Sequence, residues 1–291
     1  VTRYRISHET RYRYSKSVSL GHNEAHLLPR EAPHQRVLQS ELRIQPEPAV
    51  CLTREDFFGN AVTYFAVQEP HDTLVITAES QVEITSVPTP DLDGSPAWEA
   101  VRERLRVDLG EEVLEARQFL LDSPFVSAAE PLHRYAMPSF PSGRPLLAAV
   151  HDLMRRIHAD FVYDPAFTTV ATPLAEVLAH RRGVCQDFAH LAIGCLRSLG
   201  LAARYVSGYL ETVPPPGQPR VVGADASHAW FSVYVPGQGW VDFDPTNDQI
   251  PLGQHITTAW GRDYTDITPL KGVIFGGKTH KLSVAVDVSR V

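Results

Sequence analysis

Up to about residue 85 this chain repeats with a period of two, and from residue 98 the repeat becomes helical. YRISHETRYRY, VLQSELRIQP, NAVTYFAVQ and LVITAESQVEI each alternate apolar and polar residues or are rich in β-branched ones. Turn residues such as Phe58-Gly59-Asn60 separate them. Successive strand side chains point to opposite faces, so such runs predict half-buried β-strands. The stretch VPTPDLDGSP, residues 87–96, breaks the pattern and reads as a linker. Helical spacing then runs from Trp98 to about Ser123 and returns in Pro145–Ala159 and Pro173–Arg182. No internal repeat or low-complexity tract interrupts this order.

Residues 173–250 carry the clearest punctuation. In TPLAEVLAHRRG, Thr172 is placed to cap a helix, Pro173 occupies its first position and Gly183 falls past its end. CQDFAHLAIGCLRSLG follows, with Phe188, Ala189, Ala192, Ile193, Leu196 and Leu199 at helical intervals and Gly200 as the stop. ARYVSGYL reads as a strand, VPPPGQP (213–219) as a loop, and HAWFSVYV and GWVDFDPT as two strands joined at Pro236-Gly237. HKLSVAVDVSRV predicts a last strand.

At 291 residues the chain exceeds the usual single domain, which predicts two domains or one with an appendage. An apolar fraction of 43% and a charged fraction of 21% describe an ordinary soluble protein. A net charge of −7 disfavours nucleic acid and anionic membrane as partners. Cys51, Cys185 and Cys195 are too few for a disulfide framework, which predicts a reducing, cytoplasmic setting. The first residues alternate and do not read as a signal peptide. No apolar run reaches the length of a membrane span.

Cys185 is the residue with chemical promise. At the start of a buried helix, unpaired N–H groups and the macrodipole favour a thiolate. The same N–H groups can donate to a tetrahedral oxyanion. A thiol enzyme also needs a base and a group that orients it. His228 opens the strand HAWFSVYV, and Asp244 lies sixteen residues on. A three-residue loop Val235-Pro236-Gly237 makes them direct cross-strand neighbours, whereas a four-residue loop Pro236–Gly239 puts them on opposite faces. Asp242, Asp225 and Asp187 compete with Asp244, and Asp-Pro is also a common turn starter.

GVCQDFAHL, ARYVSGY and SHAWFSVYVPGQGWVDFDPTN, in that order, resemble the transglutaminase-like superfamily of cysteine enzymes. The similarity is to its bacterial branch, mostly read as protease-like. YRISHETRYRYSKSVSLGHNEAHLLPRE likewise resembles the β domain that precedes the core in that branch. The resemblance implies an α+β fold. A papain-like core, its helix carrying the cysteine and packed on an antiparallel sheet carrying His and Asp, follows an N-terminal β-sandwich-like domain. The expected division is a β domain at 1–86, a linker and helical segment at 87–144, the core at 145–255 and a C-terminal extension at 256–291. The resemblance implies Cys185 as nucleophile, His228 as base and Asp244 as orienting acid. Gln186, Tyr163 and Trp230 are candidates for the oxyanion site or cleft wall. No cofactor or metal is expected, since no calcium loop is visible. The expected activity is thiol-dependent acyl transfer on peptide or protein substrates, as a peptidase or amidase. Transamidation to an amine and a non-catalytic peptide-binding scaffold are the alternatives.

Other residues invite plainer readings. Cys195, among Ile193, Leu196 and Leu199, and Cys51, beside a β segment, read as structural. Trp240 reads as core or cleft wall, and Arg181 and Arg182 as solvated helix-end charges. GHNEAH places His22 and His26 close together, but Asn23 stands where a zinc-protease helix has Glu. A zinc site from Cys185, His190 and His228 lacks a second sulfur and CxxC spacing.

Overall fold

The computed structural model describes residues 1–211 and 227–291. The loop 213–219 and Asp225 lie outside the described residues. β1 (Thr2–Ala25), β2 (Gln35–Gln45), β3 (Val50–Glu55), β4 (Ala61–Val67) and β5 (His71–Ile84) form the N-terminal sheet. Its long first strand is shared by two halves. Thr2–Arg13 pairs with β5, and Gly21–Ala25 pairs with β4. Phe65, Leu74, Ile76 and Ala78 form an apolar cluster inside this domain. Phe58-Gly59-Asn60 is a turn, as the sequence predicts, with Gly59 at φ 72°.

The helices follow: α1 (Trp98–Val107), α2 (Glu111–Arg117), α3 (Glu130–Ala136) and α4 (Leu146–Asp160). In α4 the buried positions Leu146, Val150, Leu153, Met154 and Ile157 recur at helical spacing and form one apolar stripe. A short parallel pair, β6 (Val162–Tyr163) and β7 (Arg182–Gly183), brackets α5 (Leu174–His180). The helix expected to run to Arg182 stops earlier, at His180. Arg181 takes the left-handed turn at φ 56°, and Gly183 pairs with Tyr163 instead. Arg181 is also not a free solvated charge, because its guanidinium packs over Tyr135 and Phe161 at 4.6 and 4.8 Å.

α6 (Cys185–Ser198) is buried from Asp187 to Arg197, so it is the central helix. Leu132 of α3 crosses it closely at Gly194, where a Cβ would lie 2.8 Å from Leu132 Cδ1. Against α6 lies a four-stranded antiparallel sheet in the order β10-β9-β8-β11, from β8 (Ala203–Leu210), β9 (Ser227–Val235), β10 (Gly239–Phe243) and β11 (His255–Gly261). The architecture is thus α+β, a helix packed on an antiparallel sheet beside a β domain.

The end of the chain is not a separate extension. β11 is the edge strand of the core sheet, so the core runs past residue 255. β12 (Leu270–Gly276) and β13 (His280–Arg290) then return to pair with β1 and complete the N-terminal sheet. Among the described residues no helix is long and apolar enough to cross a membrane.

Two buried side-chain amides join the domains. Gln35 Nε2–H donates to the Thr257 carbonyl at 2.7 Å, and the Thr257 N–H donates back to Gln35 Oε1 at 2.9 Å. Asn60 does the same for Trp260, at 2.8 and 2.9 Å. Each amide therefore acts as a one-residue strand partner for the open edge of β11. Gln35→Ala or Asn60→Ala leaves a buried N–H and C=O unpaired, which costs about 1–3 kcal/mol. Urea melts of either variant are expected to show a lower midpoint at unchanged slope, with exposed Gln39→Ala within about 0.5 kcal/mol of wild type. Wild-type midpoints in both variants would show that the clamps carry no stability.

Candidate active site

The motif GVCQDF is explained by its first and fifth residues. Asp187, in the first turn of α6, reaches back so that the Val184 N–H donates to its Oδ2 at 2.8 Å, and Thr168 Oγ1–H donates to the same oxygen at 2.8 Å. This is the carboxylate half of a capping box. Gly183 lies under that side chain, where a Cβ would come within 2.8 Å of Asp187 Cβ and Oδ2. Burial raises the Asp187 pKa, and its two hydrogen bonds offset part of that rise. Asp187 is therefore a helix cap and not a partner of the imidazole. Cys185 sits at the first helical position, half-buried, with the first-turn N–H groups lacking intrahelical acceptors.

His228 faces it from the start of β9. Its Nε2–H donates to Asp244 Oδ2 at 2.8 Å, which leaves Nδ1 as the nitrogen not taken by the carboxylate. The hairpin that brings them together has a three-residue loop, Pro236–Gln238, which is neither of the two alternatives open in the sequence and lies one residue further on than Val235–Gly237. Val235 pairs with Gly239 and Phe231 with Phe243. His228 and Asp244 are consequently diagonal neighbours and not a direct pair. Asp244 lies just past β10 and starts a turn as well, its Oδ1 accepting from the Thr246 N–H at 3.0 Å and the Asn247 N–H at 3.3 Å. His158 at the end of α4 braces that turn, its ring nitrogen 3.1 Å from the Thr246 carbonyl.

Asp242, two residues away, receives the Ser232 hydroxyl instead. It lines a groove of about 1130 Å³ between the β domain, α2 and the sheet, together with Arg204, Trp240 and Trp260. Tyr163 is 55% exposed beside the thiol, and burial followed by the charge of Cys185 raises its pKa. Gln186 reaches toward the segment at Val170, its Nε2 3.4 Å from that carbonyl. Trp230 is not a cleft wall. It is fully buried, stacked behind His228 with centroids 6.1 Å apart.

Sequence reasoning missed His255. This buried residue donates from Nε2 to the same Asp244 Oδ2 at 2.9 Å, and Asn247 Nδ2–H adds a third donor at 2.8 Å. The available signal was formal: QHITTAW, like SHAWFSVY, is an apolar strand opened by a histidine. His228, Asp244 and His255 also form a set of two imidazoles and a carboxylate with ligand atoms within 4.8 Å of one another. Zinc accepts such a set. Ligands on a shared tetrahedral zinc would stand about 3.3 Å apart, so the 2.8 and 2.9 Å spacings fit shared protons better.

The remaining candidates are accounted for by ordinary contacts. His190 Nε2 accepts from the Tyr264 N–H at 3.1 Å. His22 Nδ1 meets the Tyr64 hydroxyl at 2.7 Å, and His26 Nδ1 meets the Thr268 carbonyl at 3.1 Å. Cys195 is fully buried with its pKa pushed up to about 12 by desolvation, and Cys51 is exposed on β3.

Residues 140–245, which hold all three of Cys185, His228 and Asp244, match the family described as the transglutaminase-like superfamily. Residues 4–83 match the bacterial transglutaminase-like N-terminal region. An uncharacterized protein of Mycobacterium tuberculosis is 44% identical over 98% of this chain and 92% of its own. The chain belongs to the transglutaminase-like superfamily. A crystal structure from Cytophaga hutchinsonii, described as a "putative cysteine protease", superimposes on this transglutaminase-like chain with a TM-score of 0.75. It covers 100% of this chain and 91% of that one at 21% identity, which shows a shared fold. A protein-glutamine gamma-glutamyltransferase of Pseudomonas aeruginosa is 27% identical over 52% of this chain and 26% of that protein.

The site also dictates a pH response. Burial opposes charge on His228, but hydrogen bonds to Asp244 and Cys185 and the fields of both raise its pKa to about 10. Burial likewise opposes charge on Asp244, yet the His228 and His255 hydrogen bonds hold it well below the usual carboxylate range. A raised histidine pKa stabilises the fold fully below its unfolded value of about 6.5 and loses that contribution as pH climbs through the folded value. A depressed carboxylate contributes above about pH 4 and loses its share on acidification. The pair is therefore at full strength between about pH 4 and 6.5. The melting-temperature gap between this transglutaminase-like protein and its His228→Gln variant should be widest there and close toward about pH 10. A gap independent of pH would mean that His228 carries no charge in the folded protein.

Proposed function

We propose that the protein is a thiol-dependent acyl-transfer enzyme, with Cys185 as nucleophile, His228 as base and Asp244 as the carboxylate that orients the base. The observation that carries this reading is the 2.8 Å hydrogen bond from His228 to Asp244, on an imidazole whose charged form is also favoured by nearby Cys185 at the start of α6. Asp244 on Nε2 leaves Nδ1 to take the thiol proton.

The reaction then runs in two halves. The Cys185 sulfur attacks an amide carbonyl carbon, and the C=O π pair moves onto oxygen, facing the first-turn N–H groups of α6. Protonated His228 gives its proton to the departing amine as the C–N bond breaks, leaving a thioester on Cys185. An acceptor attacks the thioester, His228 removes its proton, and the thiolate leaves.

Water is the preferred acceptor. Val162, Tyr163 and Val170, on the segments beside the thiol, are each more than half exposed. Among the described residues that surface offers apolar contacts to a peptide side chain and nothing that shuts out solvent. The expected activity is therefore peptidase or amidase on a peptide or protein substrate. The similarity to a gamma-glutamyltransferase over half the chain supports an amine acceptor as the second reading.

The test is a peptide library with and without a fluorescent primary amine, scored by mass spectrometry for cleavage, deamidation or amine incorporation. Cys185→Ala is expected to abolish every product. His228→Ala should lose nearly as much, and Asp244→Asn about 10²–10⁴-fold in kcat. The Cys185→Ala/His228→Ala double variant should be no worse than Cys185→Ala alone, because the groups act as a unit. Turnover that survives Cys185→Ala, in protein that melts like wild type, would refute the thiol mechanism.

A further inference from the structure

We propose that His255 is a positioning residue for this site: its Nε2–H anchors the Asp244 carboxylate so that Asp244 can hold His228 toward Cys185. The inference rests on the Cys185–His228–Asp244 reading above.

A carboxylate orients an imidazole only if it is itself held. Asp244 Oδ1 is fixed by two backbone N–H groups of its own turn. Oδ2 is the oxygen that meets His228, and it collects two further donors, His255 Nε2 at 2.9 Å and Asn247 Nδ2 at 2.8 Å. Asn247 belongs to the same turn and moves with Asp244. His255 comes from β11, across the sheet, so it ties the carboxylate to an independent element. An ionised carboxylate only accepts, so His255 must carry its proton on Nε2.

The rest of the His255 ring argues against a filling role. Its Nδ1 is buried and has no hydrogen-bond partner. A buried polar atom left unpaired is destabilising, and an apolar ring of similar size would avoid that. The nitrogen that does bond is the one that points at Asp244. His255 also packs edge-on against Trp230 at 4.9 Å, and Trp230 stacks behind His228. Both imidazoles are thus held at one indole and one oxygen. The titratable groups that face His255 are Asp244 and His228.

Three variants separate positioning from packing. His255→Phe keeps a ring and removes the donor. His255→Gln places an amide N–H near the position of Nε2, and His255→Asn places it too far back to reach. The readouts are thermal melts, the pH dependence of Cys185 alkylation by iodoacetamide between pH 4 and 9, and the imidazole signals of ¹⁵N-histidine-labelled protein. Cys185→Ala identifies the alkylated thiol.

Folded His255→Phe and His255→Asn are expected to reach maximal alkylation about one pH unit later than wild type, a tenfold lower rate on the acid limb. His255→Gln should stay within about threefold of wild type. The His228 ring signals should move in the Phe and Asn variants and return in Gln. If His255→Phe does not fold, the Asn and Gln pair decides alone. Unchanged alkylation and His228 signals in a folded Phe or Asn variant would overturn the inference and leave the triad standing. A wild-type profile with no alkylation of Cys185 before pH 8 would overturn the triad and this inference together.

Discussion

Asp244 is a carboxylate with no exposed surface, and most of the core half of the structure follows from the need to keep it ionised. Taking such an ion out of water costs several kcal/mol unless donors replace the hydration shell. Five do so here, from His228, His255, Thr246 and Asn247. They come from β9, from β11 and from the turn that Asp244 opens. Neither the hairpin register nor the edge strand can shift without stranding the charge.

The thiol is placed by a different device. The positive end of α6 faces both the Asp187 carboxylate and the Cys185 side chain, and the geometry keeps them from competing. Asp187 folds back over Gly183 to take the Val184 N–H, which lies outside the helix. The N–H groups at Cys185 and Gln186 have no intrahelical acceptor and stay free. A side chain at residue 183 would push the cap away, which is why the motif opens with glycine.

Much of this was legible in the sequence because local rules governed it. The start of α6 at Cys185, its stop at Gly200 and the alternating strands β1 to β5 follow from caps, periodicity and turn residues. Cys185, His228 and Asp244 could be named from spacing and resemblance. What could not be read depended on contacts far apart in the chain. The hairpin register turned on which residues took positive φ, here Gly237 and Gly239, and it shifted by one residue pair. β11 carries His255 but among the described residues pairs as a strand only with β8, some fifty residues earlier, so its importance is tertiary. β12 and β13 belong to the N-terminal sheet, a fact that no local pattern near residue 280 contains.

The same long-range contacts give the β domain a part in the site. β11 follows the β8 edge closely enough that a Cβ on Gly208 would fall on the Ile256 carbonyl and within 2.7 Å of Trp230 Cη2. Its other edge is held by Gln35 and Asn60, both from the β domain. Beyond β11 the chain passes directly into β12 and β13 of that domain's sheet. His255 is therefore located by the β domain as much as by the core, and Asp244 by His255. Cys185 takes its place from α6, which packs on β8 and β9 of the same sheet as well as on α3. The support of the β domain thus reaches His228 through β11, His255 and the hydrogen bonds at Asp244.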